Sequence, residues 1–100
     1  MSRLLTDDEV TQQLDGLPDW QRADADQPSI TATYKLDDFA AALAFVNEVG
    51  DEAEQMNHHP DIDIRWNKVI LVLSTHSAGG LTQADIELAT RIARRRAEKE

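Results

Sequence analysis

The sequence predicts an α+β fold: a four-stranded antiparallel sheet with three helices on one face, in the order α-β-β-α-β-β-α. Three observations predict it. Residues 29–36 alternate, with Ile30, Ala32, Tyr34 and Leu36 on one side and Thr31, Thr33 and Lys35 on the other, the period of a half-buried strand. Phe39, Ala42, Leu43, Val46, Val49, Ala53 and Met56 recur at steps of three and four, one face of a long helix. Residues 69–75 form a dense β-branched run, the pattern of a more buried strand. Short turns join the strands in pairs, which makes each pair antiparallel. Such a sheet leaves one face open while helices cover the other.

Each element has its own punctuation. Thr6 followed by Glu9 is a capping box that starts the first helix. Leu5, Val10 and Leu14 give that helix a modest apolar face, and Gly16 and Pro18 end it. A short strand is expected over residues 20–23, then polar turn chemistry from Asp24 to Pro28. Asp37 or Asp38 caps the long helix, which must finish before Pro60, because proline pushes His59 out of the α region. Ile62 and Ile64 alternate with Asp63 and Arg65, a second half-buried strand, and a tight turn is expected at Asn67-Lys68. Gly79-Gly80 breaks the next strand. Thr82 caps the last helix, with Asp85 in its first turn and Ile86, Ala89, Ile92 (or Ala93) and Ala97 on its inner face.

One hundred residues form one domain, residues 1–100. Nineteen acidic residues against 10 basic ones give a net charge of −9. That balance argues against binding nucleic acid or an anionic membrane. The basic cluster Arg91, Arg94, Arg95, Arg96 and Lys99 suits a helix C-terminus, where the macrodipole is negative. The absence of cysteine excludes disulfides, thiolate metal sites and thiol nucleophiles. No membrane span or signal pattern is present, so a soluble, cytoplasmic protein is expected.

All three histidines fall at element boundaries: His58 and His59 where the long helix ends, His76 where the fourth strand ends. Imidazole is the one unperturbed side chain that titrates near neutrality, so this concentration points to acid–base chemistry. Glu54 lies four residues before His58 and shares its face if the helix persists that far. Other readings remain open. A histidine pair at a helix C-terminus also suits the macrodipole, and Thr82-x-x-Asp85 is itself a capping box. Trp66 reads as core or pocket wall. Three histidines can hold zinc, but adjacent residues rarely converge on one ion and no HExxH spacing occurs; no metal is expected.

The spacing Glu54-x-x-x-His58-His59-Pro60, then Trp66, His76 and Asp85 resembles the signature of the pterin-4a-carbinolamine dehydratases. Around it, Asn67-Lys68-Val69, Leu73-Ser74-Thr75-His76, Gly79-Gly80-Leu81-Thr82, Asp38-Phe39 and Leu17-x-x-Trp20 resemble that family's blocks. The likeness runs from about Leu4 to Ala93. The resemblance implies a four-stranded antiparallel sheet with helices on one side, assembled as a homodimer or homotetramer. It implies a dehydratase that converts 4a-hydroxytetrahydropterin to the quinonoid dihydropterin without any cofactor. That step recycles the cofactor of an aromatic amino acid hydroxylase, the expected functional link.

By the same resemblance, His58 and His76 are the proton-transfer histidines, one on each side of the pterin ring, and His59 positions the ring. Glu54 and Asp85 orient the imidazoles. Asn57, Ser74, Thr75 and Ser77 line the substrate site. Two positions depart from the pattern: Trp66 stands where tyrosine is commoner, and Ser77 where some relatives carry an acid. Other relatives of this kind are non-catalytic dimerisation partners or assembly factors, which makes an interaction protein the rival expectation. The assembly type tends to lose the histidines that this chain keeps.

Overall fold

The computed structural model describes residues 3–99. The elements are α1 (Asp7–Asp15), β1 (Trp20–Asp24), β2 (Pro28–Lys35), α2 (Phe39–Met56), β3 (Asp61–Arg65), β4 (Lys68–Leu73) and α3 (Gln83–Lys99), with a 3-10 turn at His76–Ala78 between the last two. The strands form one antiparallel sheet in the order β1-β2-β4-β3. The predicted class and element order are those observed.

The alternation of β2 turns Ile30, Ala32 and Tyr34 inward against Val69, Leu71 and Leu73 of β4. On that face they meet Val10 of α1, Ala42, Phe45, Val49 and Ala53 of α2, and Ile86, Leu88, Ala89 and Ile92 of α3. Trp20 Nε1 donates to Tyr34 Oη at 3.2 Å, and the Tyr34 ring stacks on Phe45 at 5.0 Å, tilted by 54°. Burial pushes the Tyr34 hydroxyl up to about 12, with Asp19 adding to the effect. The opposite face stays open, as Thr33 and Lys35 are exposed.

The predicted caps of α1 and α2 are present. Thr6 accepts from the Glu9 N–H at 3.1 Å, while the Thr6 N–H donates to Glu9 Oε1 at 2.8 Å. The Arg3 guanidinium, doubly bonded to the same carboxylate, helps hold Glu9 down to about 2. Asp38, rather than Asp37, caps α2 by accepting from the Ala41 N–H at 2.8 Å. Arg95 of α3 donates to Glu52 of α2 at 2.6 Å, and Arg91 lies 3.7 Å from the same carboxylate. Two of the C-terminal arginines therefore fasten α3 to α2 besides complementing its dipole.

Several expectations are corrected. The buried stripe of α2 runs through Ala42, Phe45, Val49 and Ala53, leaving Phe39 47% and Leu43 42% exposed. Every residue from 39 to 46 is apolar, so periodicity alone does not choose between the two flanks of that helix. β3 is an edge strand with Ile62 exposed and only Ile64 partly covered. Ala97 is exposed on the last turns of α3, and Leu88 joins the core instead. Trp66 is neither core nor wall: it is 64% exposed, with φ +56°. The turn lies at Trp66-Asn67, one residue earlier than expected, because Arg65 pairs with Lys68. Asn67 fastens it to the end of β2, its Nδ2 donating to the Leu36 carbonyl at 3.0 Å and its own carbonyl accepting from the Leu36 N–H at 2.8 Å.

Candidate active site

The site begins with the way α2 ends. Asn57 adopts the left-handed conformation, φ 50° and ψ 43°, which asparagine tolerates better than most residues. Its N–H donates to the Glu54 carbonyl at 3.2 Å, and the His58 N–H reaches the Ala53 carbonyl at 3.1 Å. This pair of bonds is a Schellman closure. The chain reverses there, and Pro60 then holds His59 outside helical geometry. Two consecutive histidines consequently part company.

His58 turns towards α3. Its Nε2 lies 2.6 Å from Asp85 Oδ1, and the imidazole is mostly covered. Asp85 is 0% exposed. Its other oxygen, Oδ2, accepts from Thr75 Oγ1 at 2.8 Å and from the Thr82 N–H at 2.9 Å. The Thr75 and Thr82 hydroxyls lie 2.7 Å apart. A hydroxyl has one proton. Thr75 gives its proton to the carboxylate, so Thr82 donates to Thr75. The chain of donors runs Thr82 to Thr75 to Asp85, and the first turn of α3 favours the negative charge at its end. The expected capping box is thus half formed: Asp85 takes the Thr82 N–H, but the Thr82 hydroxyl serves Thr75.

His59 turns the other way. Its Nε2 lies 2.5 Å from Glu54 Oε2 in an exposed contact. Glu54 therefore holds His59 and not His58. The helix stops at Met56, so the four-residue spacing to His58 no longer places the two on one face.

His76 opens the 3-10 turn after β4 and is exposed. The loop behind it closes on itself: the Thr75 N–H donates to the Gly80 carbonyl at 2.8 Å. Gly79 sits at φ +79°, a conformation that suits glycine. His59 and His76 line one cleft with Asp61 and Ser74, roofed by Asp26 and Gln27 of the β1–β2 turn. Thr75, between Ser74 and His76 in the chain, turns its hydroxyl to the buried Asp85 instead. Asn57 remains at the exposed end of α2, and Ser77 is exposed in the 3-10 turn.

Sequence reasoning missed Gln27 and Thr82. Ile30 pairs with Leu73, so the start of β2 lies beside the end of β4. The polar turn before β2 must then overhang the loop that carries His76. The strand order, once known, is the signal that finds Gln27. For Thr82 the signal was present in the same four residues read as a cap. Among the described residues no group of three or more histidine or acidic side chains is placed to hold a metal ion. No described helix is long and apolar enough to cross a membrane.

The family model for pterin 4 alpha carbinolamine dehydratase matches residues 3–95. A relative from Nocardia farcinica, which carries that dehydratase name provisionally, is 48% identical over 91 residues, spanning 91% of this chain and 93% of its own. One from Roseiflexus sp. (strain RS-1), named in the same way, is 49% identical over 92 residues, spanning 92% and 96%. A crystal structure described as a transcriptional coactivator/pterin dehydratase from Brucella melitensis superposes with a TM-score of 0.86 at 34% identity, over 92% of this chain and 97% of that one. A pterin dehydratase-like protein described as a RuBisCO assembly factor in the alpha-carboxysome shares the fold, with a TM-score of 0.60 at 20% identity over 73% and 83% of the chains.

Proposed function

The chain belongs to the pterin 4 alpha carbinolamine dehydratase family, and from that membership we propose that it eliminates water from 4a-hydroxytetrahydropterin to give the quinonoid dihydropterin. The observation that carries the reading is the pairing of two kinds of imidazole at one place. His59 and His76 open onto a common cleft, and His58, next to His59 in the chain, has Nε2 engaged by a buried carboxylate.

In this reaction the C4a–O bond breaks and the N5–H proton is lost. The electron pair from N5–H becomes the new N5–C4a π bond, and the oxygen leaves as water once protonated. Hydroxide is a poor leaving group, so a general acid delivers its proton while a base accepts the one from N5. With Nε2 held by Asp85, Nδ1 is the nitrogen left to His58 for acting on the substrate in this reading. His76 makes no hydrogen bond to another described side chain and is the second proton-transfer group. His59, braced by Glu54, positions the ring, Ser74 lines the cleft, and family membership assigns Thr75, Ser77 and Asn57 to the substrate site as well. We assign the chain to the cytoplasm as a homodimer or homotetramer that serves an aromatic amino acid hydroxylase.

The test is stopped-flow dehydration of a synthetic carbinolamine by His58→Ala, His59→Ala and His76→Ala variants. Each proton-transfer histidine is worth about 10²–10⁴-fold. Rates near wild type in all three overturn the assignment.

A second reading, a non-catalytic interaction or assembly protein on the same frame, draws on the exposed Phe39 and Leu43 along α2. It also draws on the descriptions of the two solved relatives. Equilibrium binding of a dihydropterin analogue separates the two, because a pure interaction protein shows no histidine-dependent binding.

A further inference from the structure

We propose that Gln27 is a specificity-determining residue that reads the amide edge of the substrate's pyrimidine ring, the 4-oxo group and N3–H. The inference rests on the dehydratase reading above.

Gln27 lies in the β1–β2 turn, yet it is not held as a solvated turn residue. Its backbone carbonyl accepts from Ser29 Oγ at 2.8 Å. Its side-chain Nε2 lies 2.7 Å from Ser74 Oγ. Both serines are buried. The Ser74 hydroxyl donates its one proton to the Pro28 carbonyl at 2.7 Å, so it can only accept from Gln27. That fixes the amide: nitrogen on Ser74, Oε1 turned away. Glutamine is among the side chains with most rotamer freedom to lose. Here two buried hydroxyls hold it half-buried over the cleft lined by His59, Asp61 and His76.

What remains on the amide is one acceptor, Oε1, and one further N–H. Neither has a partner among the described residues. A carboxamide offers a donor and an acceptor in one plane, the complement of a ring amide that presents a carbonyl beside an N–H. In the substrate that ring amide adjoins C4a, the carbon that loses water. A group that grips this edge from the turn lies within one ring of the atoms that the histidines act on. Gln27 makes its contacts to the substrate's edge and moves no proton, so its effect falls on binding.

The experiment measures steady-state dehydration by wild type, Gln27→Ala and Gln27→Glu on two substrates, the carbinolamine and its N3-methyl analogue. On the parent substrate Gln27→Ala raises KM about 3- to 10-fold, the worth of one or two neutral hydrogen bonds, with little change in kcat. The gap between wild type and variant closes on the N3-methyl analogue, which has no N3–H to donate. Thermal melts of both variants confirm that the turn still folds. An unchanged KM in Gln27→Ala overturns the inference and leaves the dehydratase reading intact. An equal KM rise on both substrates also overturns it, because that is the mark of a merely structural role. A wild-type protein without dehydratase activity overturns both.

Discussion

His58 and Asp85 stand 27 residues apart in the chain and 2.6 Å apart in space. A histidine from the end of one helix is held by the first turn of another. Asp85→Asn keeps the size of the group but turns one oxygen into a donor, which cannot accept from His58 and from Thr75 and Thr82 together. The expected outcome is a loss of about 10²-fold in kcat, with the His58 ring released to either tautomer. Dehydration kinetics, together with NMR of the imidazole nitrogens, check both halves.

The two threonine hydroxyls are coupled. Thr75→Val strips Asp85 of a donor and leaves the Thr82 hydroxyl without an acceptor in a buried place, at a cost of about 1–3 kcal/mol. Thr82→Val removes a donor to Thr75 and costs a similar amount. The double variant is less destabilised than the sum of the two, by about 0.5–3 kcal/mol, because residues in one network are not additive. Urea unfolding of the four proteins in the cycle measures this.

Tyr34 is the single tyrosine, so its ionisation can be followed by phenolate absorbance. Its hydroxyl is pushed up to about 12 from an ordinary 10.0. A folded-state value above the unfolded one means that the unfolded chain ionises first as pH rises. The stability from the neutral phenol is complete below pH 10.0 and is lost between there and about 12. Tyr34→Phe flattens this alkaline limb. At neutral pH it leaves the buried Trp20 N–H without its acceptor, costing about 1–3 kcal/mol.

Trp66 gives the opposite kind of prediction. It is exposed and sits at φ +56°, a conformation that costs a bulky residue roughly 1–2 kcal/mol. Glycine removes that strain but adds freedom to the unfolded chain, worth about 0.4–1 kcal/mol. The strain is the larger effect, so Trp66→Gly stabilises the isolated chain by about 0.5–1 kcal/mol, while Trp66→Ala, which keeps a Cβ, does not. Thermal melts of the two variants decide it.

These positions also mark where the sequence speaks and where it is silent. β2 was legible because period two is local: each side chain's face follows from its neighbour's. The Thr6–Glu9 cap was legible for the same reason, and so was an aspartate cap on α2, though not the choice of Asp38 over Asp37. The buried flank of α2 was not, since apolar residues on both sides leave the choice to tertiary packing. The partner of Glu54 depended on where α2 stops, which one left-handed residue decides. Trp66 was misread because its type suggests burial, whereas a turn set by the Arg65–Lys68 pairing put it outside. Gln27 needed the neighbour relation of β2 and β4, a long-range fact that no local pattern carries.

The divergence of His58 and His59 has a mechanical corollary. One imidazole is anchored to α3 through Asp85, the other to α2 through Glu54. The gap between them is therefore a gauge of how those two helices sit against each other. Glu52 and its arginines tie the same two helices together. Any force that slides α3 along α2 is transmitted to the spacing of the two rings, so the tolerance of the site is inherited from a helix–helix contact.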